Sequence, residues 1–373
     1  MEKLNLDTNL PKVTFVVPCF KLAHFLGECV NSILCQTYGN FEVLIMDDCS
    51  PDDTESVARA FSDPRVKYIR NETNLGNLRN YNKGIQLARG EYVWLISADD
   101  CLKQSYVLNR YVDVMDKHRG VGYIFSPAIS LRTGEDSGVM GWTVYADKDA
   151  ILRGHKFLTE IMNGNYVASP TGMVRKVCYD TVSLFPLDLH HTGDWYLWCL
   201  FALHFDVAYL SEPMIYYRTH GENMSLALRR IDERIVRDQV NLARWKLRTK
   251  AHEAGARAIV RQLDNMLGNK YANQIAQRIY HQDPAGPTVE EFEAVLKANV
   301  ADVRGQRRIR ASMYGDLGDQ AYRAGNIGDA RLNYAMSLEQ DRLQPVVWIK
   351  QFLLRLGKFG ISVRTVFKML RWS

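Results

Sequence analysis

"FEVLIMDDCSPDDT", Phe41–Thr54, is an apolar run of strand length that ends in a cluster of carboxylates, and "GEYVWLISADD", Gly90–Asp100, repeats the device farther along. Carboxylates are among the side chains least easily buried, so two such clusters at the mouths of apolar strands need a reason. Working outward, short β-branched runs alternate with amphipathic segments: "VTFVV" from Val13, then Phe25–Gln36, "FEVLIM", Thr54–Phe61, "VKYI", Leu78–Ala88 and "YVWLIS". Strand, helix, strand at this spacing predicts right-handed βαβ crossovers and a mostly parallel sheet with helices on both faces. Near-continuous apolar strands fit that burial. In such sheets ligands bind outside the carboxyl ends of the strands, where loops converge and helix N-termini offer free N–H groups. Asp47, Asp48, Asp99 and Asp100 all follow directly after strands. The expectation is that they are carried to a ligand edge rather than buried.

At 373 residues the chain exceeds what one core usually holds, about 250 to 300 residues, so one large domain with a smaller attachment is expected. The reading places an α/β domain at 1–225, with halves at about 12–100 and 101–225, a helical extension at 226–312, and a helical hairpin with a basic tail at 313–373. Helices are predicted near His155–Met162 and over "DWYLWCLFALHF", and one strand over "VAYLSEPMIYYR". Tyr314, Leu317, Gly318, Gly325, Ala330 and Tyr334 fall at tetratricopeptide spacing, which Ala321 breaks where an aromatic is usual. One repeat cannot bury its own faces, so a lone docked hairpin is expected ahead of a peptide-binding array, with an ordinary helix pair the alternative.

The net charge of +5 is modest and the basic residues are dispersed, which excludes a nucleic-acid groove as a compositional reading. The seven cysteines show no CxxC spacing and several sit in apolar runs, so buried free thiols in a reducing cytosol are expected. "MEKLNLDTNLPK" lacks the apolar core of a signal peptide, and no apolar stretch approaches the roughly 18 residues that span a bilayer.

Several chemistries use acidic loops after strands. A calcium loop over Asp48, Ser50 and Asp52 fails, because Asp53 stands where glycine is needed and Arg59 where a bidentate glutamate is needed. The first loop, "PCFKLAHFLGE", is not a G-x-G-x-x-G, and no phosphate-binding G-x-x-x-x-G-K-[ST] occurs. Asp53 reads as a helix cap. Capping explains neither Asp47 and Asp48 nor the repeat at Asp99. A metal-nucleotide site explains both: Asp47 or Asp48 accepts from a base N–H or a ribose hydroxyl, and Asp99 holds a divalent cation, Mn²⁺ or Mg²⁺, against a diphosphate.

Across residues 12–100 the ordered motifs "VVPCF", "SILCQT", "DDCSPDDT", "NLGN", "GEY" and "SADD" resemble the signature of the family 2 inverting glycosyltransferases. The resemblance implies a GT-A fold, a Rossmann-like α/β domain with a mostly parallel sheet. It also implies a nucleotide-sugar donor, expected to be a UDP-sugar, and transfer to a saccharide or lipid-linked acceptor. By the same resemblance Pro18 and Phe20 line the base pocket, Asp47 contacts the base with Asp48 beside it, and Asp99 binds the metal. Asn74 and Gly76 of "NLGN", and Ser97 and Ala98 of "SADD", complete the donor set. Three positions depart from the pattern: Ser97 replaces the first Asp of D-x-D, Lys21 a usual Asn, and Tyr81 a frequent Arg, for which Arg79 compensates.

An inverting transfer needs a base opposite the leaving diphosphate. "HHTGDWYLW" resembles the family's E-D-x-x-L-W, with Gly193 for Glu and Asp194 as base; a helix N-cap is the alternative for Asp194. "YYRTHGENMS" resembles R-x-H-x-x-[ND]-x-S and makes His220 a second metal or diphosphate ligand, while His190 and His191 read as acceptor-pocket or loop residues. A nucleotidyltransferase lacks its Gly-rich first loop here, and a degenerate scaffold is opposed by Asp47, Asp99 and Asp194. After Asp341 every charged side chain is basic, and Val363, Val366, Phe367 and Leu370 recur at helical spacing flanked by Arg364, Lys368 and Arg371. Residues 346–373 are therefore expected to meet an anionic membrane at its cytoplasmic face, with packing on the hairpin as the alternative. The helical C-terminus is also where copies of the chain would associate.

Overall fold

Val13–Cys19 and Phe41–Asp47 are buried at every position and pair in parallel as β1 and β2, as strands covered on both faces must. Val66–Arg70 (β3) extends the sheet beside β2 and Tyr92–Leu95 (β4) beside β1. The crossovers are Ala23–Leu34 (α1), Thr54–Arg59 (α2) and Asn77–Leu87 (α3). Every element expected between Val13 and Ser97 forms. The computed structural model describes residues 10–132, 134–221 and 233–356. The chain divides into two units, Met1–Gln239 and Val240–Ser373. The boundary expected near Leu226 lies outside the described residues.

The first unit continues through Cys101–Leu102 (β5), Val107–Lys117 (α4), Val121–Phe125 (β6), Ala128–Arg132 (β7), Glu135–Val139 (β8), Ala150–Leu152 (β9) and Gly154–Ile161 (α5). Then come Met173–Arg175 (β10), Lys176–Val182 (α6), Gly193–His204 (α7), Asp206–Tyr209 (β11) and Ile215–Thr219 (β12). One sheet runs β3-β2-β1-β4-β10-β6-β11-β9 and the other β5-β12-β7-β8. "VAYLSEPMIYYR" is thus not one strand: β11 belongs to the first sheet and β12 to the second. The break has a local cause. Pro213 has no ladder donor, and the Ser211 N–H and hydroxyl both donate to Asp149 Oδ1 at 2.8 Å.

Stacked rings fill the space between layers. Phe15 stacks on Trp94 at 5.4 Å and Trp94 on Tyr111 of α4 at 4.3 Å, while the Trp94 indole donates to Pro170 O at 2.8 Å. On the other face, α3 lies so close to β1 that a Cβ at Gly84 would come 2.4 Å from Val16 Cγ1. That contact packs α3 directly against the middle of β1.

The second unit is helical. With the end of Glu233–Glu253 (α8) it comprises Arg257–Tyr280 (α9), Val289–Asn299 (α10), Val303–Arg323 (α11), Ile327–Gln340 (α12) and Pro345–Leu356 (α13). Trp245, Leu267, Tyr271, Phe292, Ile309, Met313 and Leu317 form one core, and Ala321, Ala330, Tyr334, Leu338, Val347 and Leu354 a second. Within the α11–α12 pair, Gly318 meets the Tyr334 ring so closely that a Cβ there would come within 2.6 Å. The Tyr334 hydroxyl donates to Asp319, which also takes Lys350 of α13. The expected tail residues Val363 to Trp372 lie outside the described residues.

At the end of the sheet away from the carboxylate clusters, the buried Glu42 accepts from Thr14 at 2.9 Å, Lys67 at 3.0 Å and Arg89 at 2.6 Å. Burial alone would raise its carboxyl, but Arg89, Lys67 and Thr14 outweigh that and hold it at about 2, below an ordinary 4.5. The ionised form is therefore favoured by folding, and its contribution is complete above 4.5 and lost as pH falls toward 2. Glu42→Gln is expected to lower stability at pH 7 by about 2 kcal/mol in urea titrations, the gap from wild type narrowing on acidification.

Candidate active site

The loops after β1, β2 and β4 converge on a cavity of about 750 Å³ that α3, α7 and β12 complete. Of the residues expected from sequence, Pro18, Phe20, Asp48, Asn74, Gly76, Ser97, Asp99, Asp194 and His220 line it. Asp47, Arg79 and Ala98 do not. Arg79 faces solvent on α3, and Ala98 is buried with its N–H donating to Pro18 O at 3.2 Å.

The expectation that the carboxylates escape burial is overturned. Asp47 is 0% exposed, Asp48 and Asp100 3% and Asp99 9%. Each is compensated in its own way. Asp47 accepts from Ser50 N at 2.8 Å, the Tyr68 hydroxyl at 2.7 Å and Arg70 at 2.7 Å, so its charge is matched inside the sheet. Asp48 accepts from the N–H groups of Leu75 at 2.8 Å and Gly76 at 2.9 Å and from Asn71 at 2.8 Å. It thereby ties the "DD" turn to the "NLGN" loop. Gly76, at φ +79°, takes the left-handed backbone needed to aim its N–H at that carboxylate. Lys21 also adopts positive φ, 60°, where the family's usual Asn sits more easily, and its N–H donates to Ser50 Oγ at 3.1 Å.

Asp99 and Asp100 are held from the far strand β12. Arg218 donates its backbone N–H to Asp100 Oδ1 at 2.9 Å and its Nε to Asp99 O at 2.8 Å, with its guanidinium 4.5 Å from the Phe25 ring. Burial, reinforced by Asp99, pushes the Asp100 carboxyl well above the carboxylate range. His220 Nε2 lies 3.0 Å from Asp99 Oδ2, a pairing of residues brought together only by the second sheet.

Asp194 sits in the first turn of α7, whose N-cap is Thr192, so the cap reading does not describe it. Its Oδ1 accepts from Trp195 N at 2.7 Å, and burial raises its carboxyl above the ordinary value. Tyr81 lines the same cavity, and burial followed by the Asp99 and Asp194 carboxylates drives its phenol up. One hydroxyl therefore senses both carboxylates. His190 and His191, expected as acceptor-pocket or loop residues, line the wall together with Trp142, which carried no motif that would have marked it.

A mixed sheet with its carboxylates at one rim and a helical region after it is the GT-A fold. Residues 14–151 match the model of glycosyl transferase family 2. It is 35% identical over 111 residues, 29% of this chain and 37% of the relative, to the glycosyltransferase GlyG of Streptococcus pneumoniae. It is 33% identical over 88 residues, 24% of this chain and 35% of the relative, to WfgD of Escherichia coli, a UDP-Glc:alpha-D-GlcNAc-diphosphoundecaprenol beta-1,3-glucosyltransferase. The chain thus spans little more than a third of either relative's length. Its fold is like that of S. aureus TarS 1-349 solved with UDP-GlcNAc, at a TM-score of 0.59 and 18% identity, covering 88% of this chain and 91% of that one.

Because Asp48 organises two loops, Asp48→Asn sets an amide donor against either the Gly76 N–H at Oδ2 or the Leu75 N–H and Asn71 amide at Oδ1. The expected cost is about 2 kcal/mol in urea titrations. A variant as stable as wild type would show that the carboxylate is not what fastens the loops.

Proposed function

We propose that this chain transfers a sugar from a UDP-sugar to a saccharide or lipid-linked saccharide acceptor by a single, inverting displacement. The observation that carries the proposal is the convergence on one cavity of Asp99 with His220 and of Asp194, with Tyr81 under the influence of both carboxylates. The UDP-GlcNAc bound to TarS and the lipid-linked acceptor in the name of WfgD support the choice of donor and acceptor class. The exposed ring of Phe20, beside Pro18, gives a base a face to stack on, and the Asp48-fastened "NLGN" loop shapes the adjoining wall.

Among the described residues no group of three or more His, Cys, Asp or Glu side chains is arranged to hold a metal. Asp99 and His220 nevertheless fit a divalent ion that draws its other ligands from a diphosphate and water, since such ions are ordinarily held by one or two protein groups. When bound, that ion supplies positive charge to the departing diphosphate. Asp194 accepts the proton of the acceptor hydroxyl as it attacks in line. Burial makes it a stronger base than a solvated Asp, so the acid limb of the rate profile lies at higher pH than an ordinary Asp would give.

Peripheral, cytoplasmic-face membrane association belongs to the same proposal. No described helix is long and apolar enough to cross a membrane. On α13, however, Trp348, Ile349 and Phe352 are exposed in a segment that carries only basic charge after Asp341. Such a face suits an anionic surface, which apolar side chains enter while cations stay at the headgroups.

A coupled assay for UDP release with a panel of UDP-sugars tests the chemistry. Asp194→Asn is expected to lower kcat by about a hundredfold or more and to abolish the acid limb, with UDP affinity unchanged. Asp99→Asn is expected to lose both transfer and metal-dependent UDP binding; wild-type turnover by that variant in EDTA would refute the metal role. Vesicle sedimentation tests the surface. Replacing the exposed Trp348, Ile349 and Phe352 by serine is expected to abolish salt-sensitive pelleting with anionic vesicles and to spare activity on a soluble acceptor. Absence of pelleting at low salt, together with a dimer in light scattering, would instead assign the face to self-association.

A further inference from the structure

The wall of the cavity contributed by the second half of the domain carries an aromatic ring to which the proposed chemistry gives no task. Trp142 stands 48% exposed in the single 3₁₀ turn Gly141–Thr143 between β8 and β9, and its side chain lines the cavity. The turn is fastened to the start of β7. Met140 N donates to Ala128 O at 2.9 Å, Ala128 N donates to Thr143 Oγ1 at 3.0 Å, and the Thr143 hydroxyl donates to Met140 O at 2.7 Å. Thr143 is fully buried, so the backbone under the indole is anchored while the ring is not covered.

A Trp side chain has a large apolar face, and leaving it in water on a fixed turn forgoes the burial that the rest of the fold gives its aromatics. The same cavity is lined by polar side chains, Asn165, Ser169, His190, His191 and Tyr217, as well as by the apolar Val167, Pro170 and Phe185. The buried Nδ1 of His191 has no hydrogen-bond partner among the described residues. A flat apolar face in a cavity that also carries amide, hydroxyl and imidazole groups matches one ligand chemistry closely. A pyranose presents C–H groups across its face and hydroxyls around its edge. A nucleotide base would also stack on an aromatic, but Phe20, at the end of β1 beside the nucleotide-side loops, is already placed for that.

We infer that Trp142 is a saccharide platform: a pyranose ring of the acceptor stacks on its indole, with polar side chains elsewhere on the cavity lining, Asn165 among them, available to the ring hydroxyls. Calling that sugar the acceptor rests on the transfer reading; the sugar-binding surface itself does not.

Binding of a panel of methyl hexopyranosides and their β-linked disaccharides is measured by calorimetry on the full chain, in the presence and absence of UDP, for wild type, Trp142→Ala and Trp142→Phe. Trp142→Ala is expected to weaken saccharide binding by about tenfold, Trp142→Phe to keep most of it, and both to leave UDP affinity and melting temperature unchanged. If the transfer reading holds, the same loss appears in the acceptor KM with kcat little altered. Saccharide binding by Trp142→Ala equal to wild type would overturn the inference, as would no saccharide binding by wild type, or a loss shared with UDP. A loss seen only with farnesyl phosphate, offered as a lipid probe, would overturn it in favour of lipid contact. Trp142-dependent saccharide binding in a chain that turns over no UDP-sugar would leave the platform standing and remove the transfer reading.

Discussion

Burying four carboxylates at one end of a sheet is the constraint on which the rest of this site depends. An unpaired buried charge costs several kcal/mol, so a buried carboxylate must either be met by donors, as Asp47 and Asp48 are, or be pushed toward its neutral acid, as Asp100 is. The chain supplies those donors from its own loops. Asp48 collects two backbone N–H groups from Leu75 and Gly76, and Asn71, which shares it, also bonds Asn80, whose amide returns to Met46 O at 2.8 Å. The geometry of the nucleotide-side wall is therefore a consequence of charge compensation. Charge-assisted bonds of this sort are the stronger and more directional ones, and they suit a task in which loop atoms must hold position.

The second cluster is compensated over a longer range. Arg218 and His220 lie on or just after β12, more than a hundred residues beyond Asp99, and reach the rim because β12 pairs with β5 immediately after the Asp99–Asp100 corner. Asp100, pushed up by burial and by its neighbour Asp99, is steadied through the Arg218 backbone. The second sheet thus brings the later part of the domain to the donor side, so that a shift of β12 would move the His220 imidazole and the Asp99 loop together.

Much of this was legible before any coordinates. The near-continuous apolar runs from Val13 to Ser97 specify strands because they are short, rich in β-branched residues and alternate with amphipathic segments of helical period. Ordered motifs pointed to Asp48, Asp99, Asp194 and His220, and all four line one cavity. What could not be read was register. Asp47 sits directly opposite Arg70 in the β2–β3 ladder, and that pairing alone decides that its charge is used inside the sheet. Nothing local to "DDCSPDD" distinguishes Asp47 from Asp48. The split of "VAYLSEPMIYYR" was hidden for a related reason, since which sheet each half joins is settled by distant strands, although Pro213 marks where the ladder must stop. Trp142 was invisible because an isolated aromatic in a polar loop carries no periodic signal, and only the anchoring of Thr143 beneath it shows that its exposure is held in place.

Asp194 shows the opposite balance from Glu42, and the contrast separates framework from function. Folding lowers Glu42, so its ionised form supports the native state at neutral pH. Folding raises Asp194, so its ionised form opposes the native state there. The α7 helix that follows Asp194 is buried over nearly its whole length, which removes water from its first turn, and the bond from Trp195 N returns only part of what burial takes away. A carboxylate with a purely structural purpose would gain from a solvated position or a cationic partner, as Glu42 does. Asp194 has no cationic partner in its assigned bonds, and its partly exposed side chain opens onto a cavity shared with Asp99 and Tyr81. A group kept ionisable at a cost to stability, in a cleft beside a second carboxylate, is consistent with the proton-accepting role proposed for Asp194.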